Sequence, residues 1–462
     1  MLQAVLDIGK THIKLLVIEN GQPAASFSSK NAPLMGMYPQ ADVDGIWRWL
    51  TETLKSYSRT AEISAIVVTT HGATAALIDN SVGDRDQALA LAVLDYEYDG
   101  IAQCESDYAA VRPDFNETLS PQLPAGLNLG RQLFWLQAKY PKAFSRVTHI
   151  LMYPQYWAWR LGAELASEVT SLGCHTDLWQ PAVKDYSTLV ERCGWRDLFP
   201  PLKNAWDELG TVSQAVSQQT SLPADCKIYT GIHDSNASLL RYLLQRCAAD
   251  ESFTVISTGT WTIAMQANGD VSQLGAHRDT LANVDIFKQP VSCARFMGGR
   301  EYETICARLG GNISMAAQPA DIQQAINERW LVTPDFSNGN GPFGGAEPVL
   351  ACPAQPPAPQ AIATLYCALM IDQRLNDLNA TGPIYIEGAF LKNTLLCELV
   401  AQLRPEQTVM LSQDNTGTVM GAAALIGFDS NTAMALELQP CRASAFTGLD
   451  EYRQNWYQRI NQ

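Results

Sequence analysis

Two glycine-threonine loops sit far apart in the chain, and each interrupts a pair of apolar strands. The first is Asp7-Ile8-Gly9-Lys10-Thr11, entered by Ala4-Val5-Leu6 and left by Ile13 to Ile18. The second is Ser257-Thr258-Gly259-Thr260, entered by Phe253 to Ile256 and left by Trp261 to Met265. A glycine at a tight turn lets backbone N–H groups approach a ligand closely, and threonine hydroxyls add donors. Such nests favour anions, phosphates above all. One loop near the start of each half predicts a nucleotide held between two related domains.

With 462 residues the chain exceeds one ordinary core, so two or three domains are expected. A net charge of −15 excludes a general nucleic-acid or anionic-membrane binder, since polyanions are repelled. It leaves a small phosphorylated ligand open. The 11 cysteines include no Cys-x-x-Cys pair. That pattern predicts reduced thiols in a cytoplasmic protein, not a disulfide framework or a zinc site. There is no cationic leader and Asp7 breaks the first apolar run, so no signal peptide is expected. No stretch reaches the ~18 apolar residues of a membrane span.

The opening reads as a meander of strands over Leu2–Ile8, His12–Glu19 and Ala24–Ser29, with Asn20-Gly21 as a hairpin signal. Helical spacing follows over Asp42–Ser58, then buried strands over Ile63–Thr69 and Ala88–Leu94. Residues 131–162 read as helical and aromatic, a core wall on which a sugar could also stack. Cys226 to Asp234 is a strand ending in a glycine turn and an acid, followed by a helix over Ser235–Arg246. Strand-to-helix junctions are where α/β enzymes place reactive side chains. The strand-loop-strand pattern then returns, which divides the chain into residues 1–246 and 247–462. Further helices are expected over Ala361–Leu378 and Asn393–Leu403, and a strand over Pro383–Glu387. Gly417 and Gly421, with small residues between, suit close helix packing against a loop or ligand.

In this order the segments resemble the FGGY carbohydrate kinases, of the actin, hexokinase and Hsp70 superfamily, over nearly the whole chain. Asp7-x-Gly9 with Lys14 is similar to the family's first phosphate motif. Gln132 to Leu161 is similar to its aromatic stretch, with Arg160-Leu161-Gly162 lacking the usual threonine. Gly231-Ile232-His233-Asp234 resembles glycine-x-histidine-aspartate, and Thr258-Gly259-Thr260-Trp261 the second phosphate motif, its tryptophan most like rhamnulokinases. Glu387-Gly388-Ala389-Phe390-Leu391-Lys392-Asn393 resembles the adenosine motif, and Gly421-Ala422-Ala423 the C-terminal glycine-alanine-alanine. Lys10 departs from the pattern, as do Glu387 and Phe390 within the adenosine segment.

The resemblance implies an α/β fold of two ribonuclease H-like domains flanking an ATP cleft. It implies ATP-dependent phosphorylation, with Mg²⁺, of a ketose or deoxyketose such as L-rhamnulose, L-fuculose or a ketopentose. Asp234 would be the base; the bland alternative is an N-cap for the following helix. Asp7 would hold Mg²⁺, and Gly9, Lys10, Thr11, Thr258, Gly259 and Thr260 the phosphates. Lys14 would add charge there or be a solvated lysine. Gly388 and Asn393 match the adenosine positions. His71, Gly72, Asp95, Tyr96 and His233 would contact the sugar, while His175-Thr176-Asp177 either contacts substrate or braces a loop. Gly298-Gly299-Arg300-Glu301 lies where it could reach the cleft, with Arg300 paired to an acid as the alternative. The histidines at 71, 175 and 233 lack the carboxylate spacing of zinc or iron sites. The expected partner is a small sugar, without nucleic acid or membrane, and a homodimer stays open. Two other classes share the loops: an actin- or Hsp70-like ATPase, and a non-catalytic sugar sensor.

Overall fold

The computed structural model describes residues 2–245, 251–313, 315–413, 417–428 and 436–461. They fall into two compact units. The first is drawn from Met1–Cys247, Ala282–Pro290 and Thr416–Met434, the second from Ala248–Leu281, Val291–Asn415 and Ala435–Gln462. The units are therefore not two uninterrupted halves. The boundary expected between residues 246 and 247 lies outside the described residues.

The first unit is built on a sheet of β1 (Leu2–Ile8), β2 (His12–Glu19), β3 (Gln22–Lys30) and β4 (Ile63–Thr70). β1 pairs antiparallel with β2 and parallel with β4, and β3 is the alternating outer strand of the meander. Asn20 and Gly21 both take positive φ, 51° and 78°, as a two-residue hairpin turn requires. β1 is buried on both faces. Leu2, Ala4, Leu6 and Ile8 face one core with helix α1 (Val43–Ser56) and the helix Tyr153–Leu161, while Val5 faces a second core with Leu240 and Ala422. α1 forms because Val43, Ile46, Trp47, Leu50 and Leu54 line one face and the Asp42 carboxylate caps it by accepting from Gly45 N–H at 2.8 Å.

The aromatic stretch departs from its helical reading. Helices over Leu129–Lys139 and Pro141–Phe144 give way to a strand, His149–Met152, before Tyr153–Leu161 resumes. The strand exists because Ala75–Ile78 pairs with it, a partner far upstream that local periodicity cannot show. The strand expected over Ala88–Leu94 is shorter, Leu89–Leu91. The aromatics pack as core: Trp47 stacks on Trp157 at 6.5 Å, and the buried Arg160 lies 4.7 Å over the Trp47 ring.

The second unit repeats the device. Strands β5 (Phe253–Thr258) and β6 (Thr262–Ala267) form an antiparallel hairpin, and β7 (Ile384–Gly388) joins β5 in parallel. The order β6-β5-β7 thus matches β2-β1-β4. Helix Gly298–Arg308 follows strand Pro290–Phe296 and carries the buried Glu301 in its first turn. The Glu301 carboxylate accepts from Met297 N–H at 3.1 Å and from the Tyr366 hydroxyl. Burial pushes its carboxyl from 4.5 up to about 7. The folded state therefore binds the extra proton, so this stability is present below about pH 4.5 and is lost as pH rises to about 7. Glu301→Gln should remove up to about 3 kcal/mol of that decline, read as a flatter urea-midpoint profile between pH 4.5 and 8 than wild type. Parallel profiles would contradict it. Among the described residues no helix is long and apolar enough to cross a membrane.

Candidate active site

In the first unit the β1–β2 turn is the loop expected to hold phosphate. Gly9 N–H donates to His12 O at 2.9 Å, and a Cβ on Gly9 would stand 3.1 Å from that oxygen. Asn31, at the end of β3, clamps the turn: its Nδ2 donates to Gly9 O and its backbone N–H to Thr11 O, each at 2.8 Å. Asn31 escaped the sequence reading, and no local signal marks it. The Thr11 hydroxyl is exposed beside His12 Nδ1 at 3.1 Å. Lys10 points elsewhere than the phosphate role read for it. Its ammonium pairs with Asp95, lies 3.5 Å from Glu97 Oε2, and sits 4.5 Å over the Tyr96 ring. The physical reason is a carboxylate pair 85 residues away that the fold delivers to this turn.

Asp7 stands opposite Lys14 in the β1–β2 ladder and beside Thr69 in the β1–β4 ladder. Burial, then the neighbouring Asp234 charge, pushes its carboxyl from 3.8 up to about 7, with Lys14 pulling it down. Asp7 and Asp234 therefore share one electrostatic site. Oxygen donors of this kind suit Mg²⁺, a hard cation that keeps several waters. Among the described residues no three His, Cys, Asp or Glu side chains form a preformed metal cage.

A short strand, Ile232–His233, pairs with β4 and delivers the next helix, α2 (Asp234–Gln245), at the same sheet end. Gly231 makes that turn possible: φ is 85°, and a Cβ would meet Val68 O at 2.4 Å. The buried His233 ring is held by Asn236 Nδ2 at 3.4 Å, Cys174 Sγ at 3.6 Å and Asp234 Oδ1 at 3.2 Å. Burial lowers its pKa. Asp234 Oδ1 accepts from Ser235 N–H at 2.6 Å and Ser235 Oγ at 3.2 Å. The Asp234 side chain keeps 32% of its surface exposed, open to a ligand.

His71 N–H donates to Ile8 O at 3.0 Å, tying the end of β4 to the first loop. The ring packs 5.3 Å from both Tyr96 and Tyr153, and burial lowers its pKa. Gly72 is required here: a Cβ would stand 2.8 Å from His233 Nε2. His71, Asp95, Tyr96 and Lys10 line a small, open pocket, joined by Asn31, Thr74 and Leu94. Three of the five residues expected to face sugar thus line one pocket with Lys10, while Gly72 and His233 lie against each other. His175-Thr176-Asp177 is a brace. The buried Asp177 accepts from Tyr108 Oη at 2.7 Å and Arg112 Nε at 2.9 Å.

In the second unit Gly259 N–H donates to Trp261 O at 2.9 Å and Gly259 O accepts from Gly299 N–H at 3.1 Å. A Cβ on Gly299 would stand 2.4 Å from Gly259 O, so a bare backbone is needed there. Thr260 is exposed. The buried Thr258 hydroxyl is committed to structure, donating to Glu387 O at 2.6 Å and accepting from Phe390 N–H at 2.9 Å. Gly388 has φ 90° and passes so close that a Cβ would meet Thr258 O at 2.1 Å. Phe390 fills the space that Gly298 leaves, 3.1 Å from where its Cβ would be. Asn393 caps helix Thr394–Leu403, with Oδ1 accepting from Leu396 N–H at 3.2 Å and Nδ2 donating to Thr364 Oγ1 at 2.9 Å. Its side chain is spent on the fold. Arg300 is exposed and makes no ion pair among the described residues.

Two sheets of like topology, each with a glycine loop between its antiparallel strands, are the architecture of the actin and hexokinase superfamily. Residues 2–240 match the FGGY family of carbohydrate kinases, N-terminal domain, and residues 250–435 match the carbohydrate kinase FGGY, C-terminal domain. The chain belongs to the FGGY family of carbohydrate kinases. It is 34% identical to a carbohydrate kinase from Novosphingobium aromaticivorans, covering 99% of this chain and 98% of that one with a TM-score of 0.88. It is 25% identical over 301 residues to the L-fuculokinase of Escherichia coli (strain K12), spanning 61% of this chain and 60% of the relative's length. A probable L-xylulose kinase of Pasteurella multocida is 22% identical over 289 residues, 58% of this chain and 56% of its own.

Proposed function

We propose that the protein is an ATP-dependent sugar kinase that phosphorylates a hydroxyl of a ketose or deoxyketose. The observation that carries this reading is Asp234, a partly exposed carboxylate at the start of α2 that stands against His233 and close enough to Asp7 to raise its pKa. When bound, ATP supplies the phosphoryl group and Mg²⁺ neutralises charge on its phosphates. Asp234 accepts the proton of the acceptor hydroxyl, and the neutral His233 orients it. Asp7, with Lys14 opposite, holds the cation through oxygen donors. In the first unit the Thr11 hydroxyl, and in the second unit the Thr260 hydroxyl, is the loop donor offered to phosphate, and Gly388 opens the chain for adenosine. The names of the two curated relatives, L-fuculokinase and probable L-xylulose kinase, support a ketose acceptor. None of the ten cysteines among the described residues is in a disulfide, which favours a reducing, cytoplasmic setting.

The test is ADP release with Mg²⁺-ATP across a panel of ketoses, aldoses and polyols. Turnover that requires a ketose is the expected result. Turnover indifferent to sugar would point to an actin- or Hsp70-like ATPase, and nucleotide binding without turnover to a sensor.

A further inference from the structure

Lys10 lies inside a phosphate loop by sequence, yet its side chain belongs to the acceptor pocket. Its side chain is 22% exposed and its ammonium pairs with Asp95, whose side chain is 6% exposed. Asp95 Oδ1 also accepts from Glu97 N–H at 2.9 Å, and among the described residues no hydrogen bond is made at Oδ2. An ammonium has three donors, and a ligand can use one left over from Asp95 and Glu97. One cation and one carboxylate therefore stand side by side on the pocket wall, with His71 and Tyr96 as neighbours.

The charge around the pocket is unequal. Among the described residues Lys10 is the only cation lining it, while Asp95 lines it and Glu97 adjoins it. The Asp234 charge is felt at both His71 and Tyr96, which adds negative charge near this wall. The burial that lowers the His71 pKa keeps that ring neutral near pH 7. An acceptor carrying a carboxylate or phosphate would meet net negative charge.

Resting on the kinase reading, we propose that Lys10 reads the acceptor and not the nucleotide. With Asp95 it clamps neighbouring hydroxyls of a neutral sugar, one as acceptor and one as donor, and the surrounding carboxylates turn away aldonates and sugar phosphates.

The experiment combines calorimetric ATP affinity with acceptor kinetics for wild type, Lys10→Met, Lys10→Arg and Asp95→Asn, each checked by thermal melting. Lys10→Met should keep its ATP Kd within about twofold, because no hydrogen bond to the nucleotide is lost. Its acceptor KM should rise roughly tenfold or more, the loss of one charged hydrogen bond. Lys10→Arg should recover part of that rise. Asp95→Asn, which keeps the shape of the pocket if Lys10→Met unfolds, should gain turnover with aldonates that wild type refuses. An ATP Kd weakened about tenfold in Lys10→Met with acceptor KM unchanged would overturn the inference alone. So would wild-type turnover of aldonates as fast as of neutral sugars. Failure of every acceptor to support turnover would overturn the kinase reading and this inference together.

Discussion

Asp234→Asn should abolish sugar-dependent ADP release, lowering kcat by roughly 10²–10⁴-fold, the usual contribution of a positioned general base. The amide matches the carboxylate in size but cannot take a proton from a hydroxyl. Its Oδ1 can still accept from Ser235 N–H, the 2.6 Å contact that Asp234 makes at the start of α2. Folding should therefore survive, with the urea midpoint unchanged. Nucleotide affinity should also hold or improve slightly, because one of two neighbouring negative charges is gone. This split separates a base from a cap: a cap variant would lose stability and leave the chemistry intact. Retention of kcat within about tenfold would place the base elsewhere.

Gly421→Ala should cost about 3 kcal/mol or more of folding stability, at the upper end of overpacking penalties. Helix Gly417–Ala423 lies against α2 in the first unit. A Cβ on Gly421 would stand 1.8 Å from Ala237 O and 2.6 Å from Ala237 C. Both are backbone atoms of α2, so no side chain can rotate aside. The helices must separate, opening the core formed by Val5, Leu240, Val419 and Ala422. Because Asp234 begins α2, the strain reaches the proposed base, and kcat should fall along with the urea midpoint. An unchanged midpoint would mean that the two helices do not pack at this distance.

The spacing of Gly417 and Gly421 already signalled close packing in the sequence, but the partner expected was a loop or ligand, and the structure supplies a helix. The hairpin turn at Asn20-Gly21 and the α1 cap at Asp42 were equally legible, since both are local: φ preference and a carboxylate within three residues decide them. Residues 149–152 were not, because their strand depends on Ala75–Ile78. Asn31 was invisible for the same reason, its two bonds to the first loop being made from the end of another strand.

By itself the sequence determined the repeated strand-loop-strand device, the acid at the end of the glycine turn, and the order of segments that marks the family. These follow from short-range backbone preference and periodicity, which a chain carries wherever it goes. Tertiary structure alone decided what each polar group does. It turned Lys10 from the phosphate loop to Asp95, spent the Thr258 hydroxyl and the Asn393 amide on the fold, and set Asp7 beside Asp234. Hydrogen bonds and charge pairs act over a few ångströms, and only folding determines which distant residues come within that range.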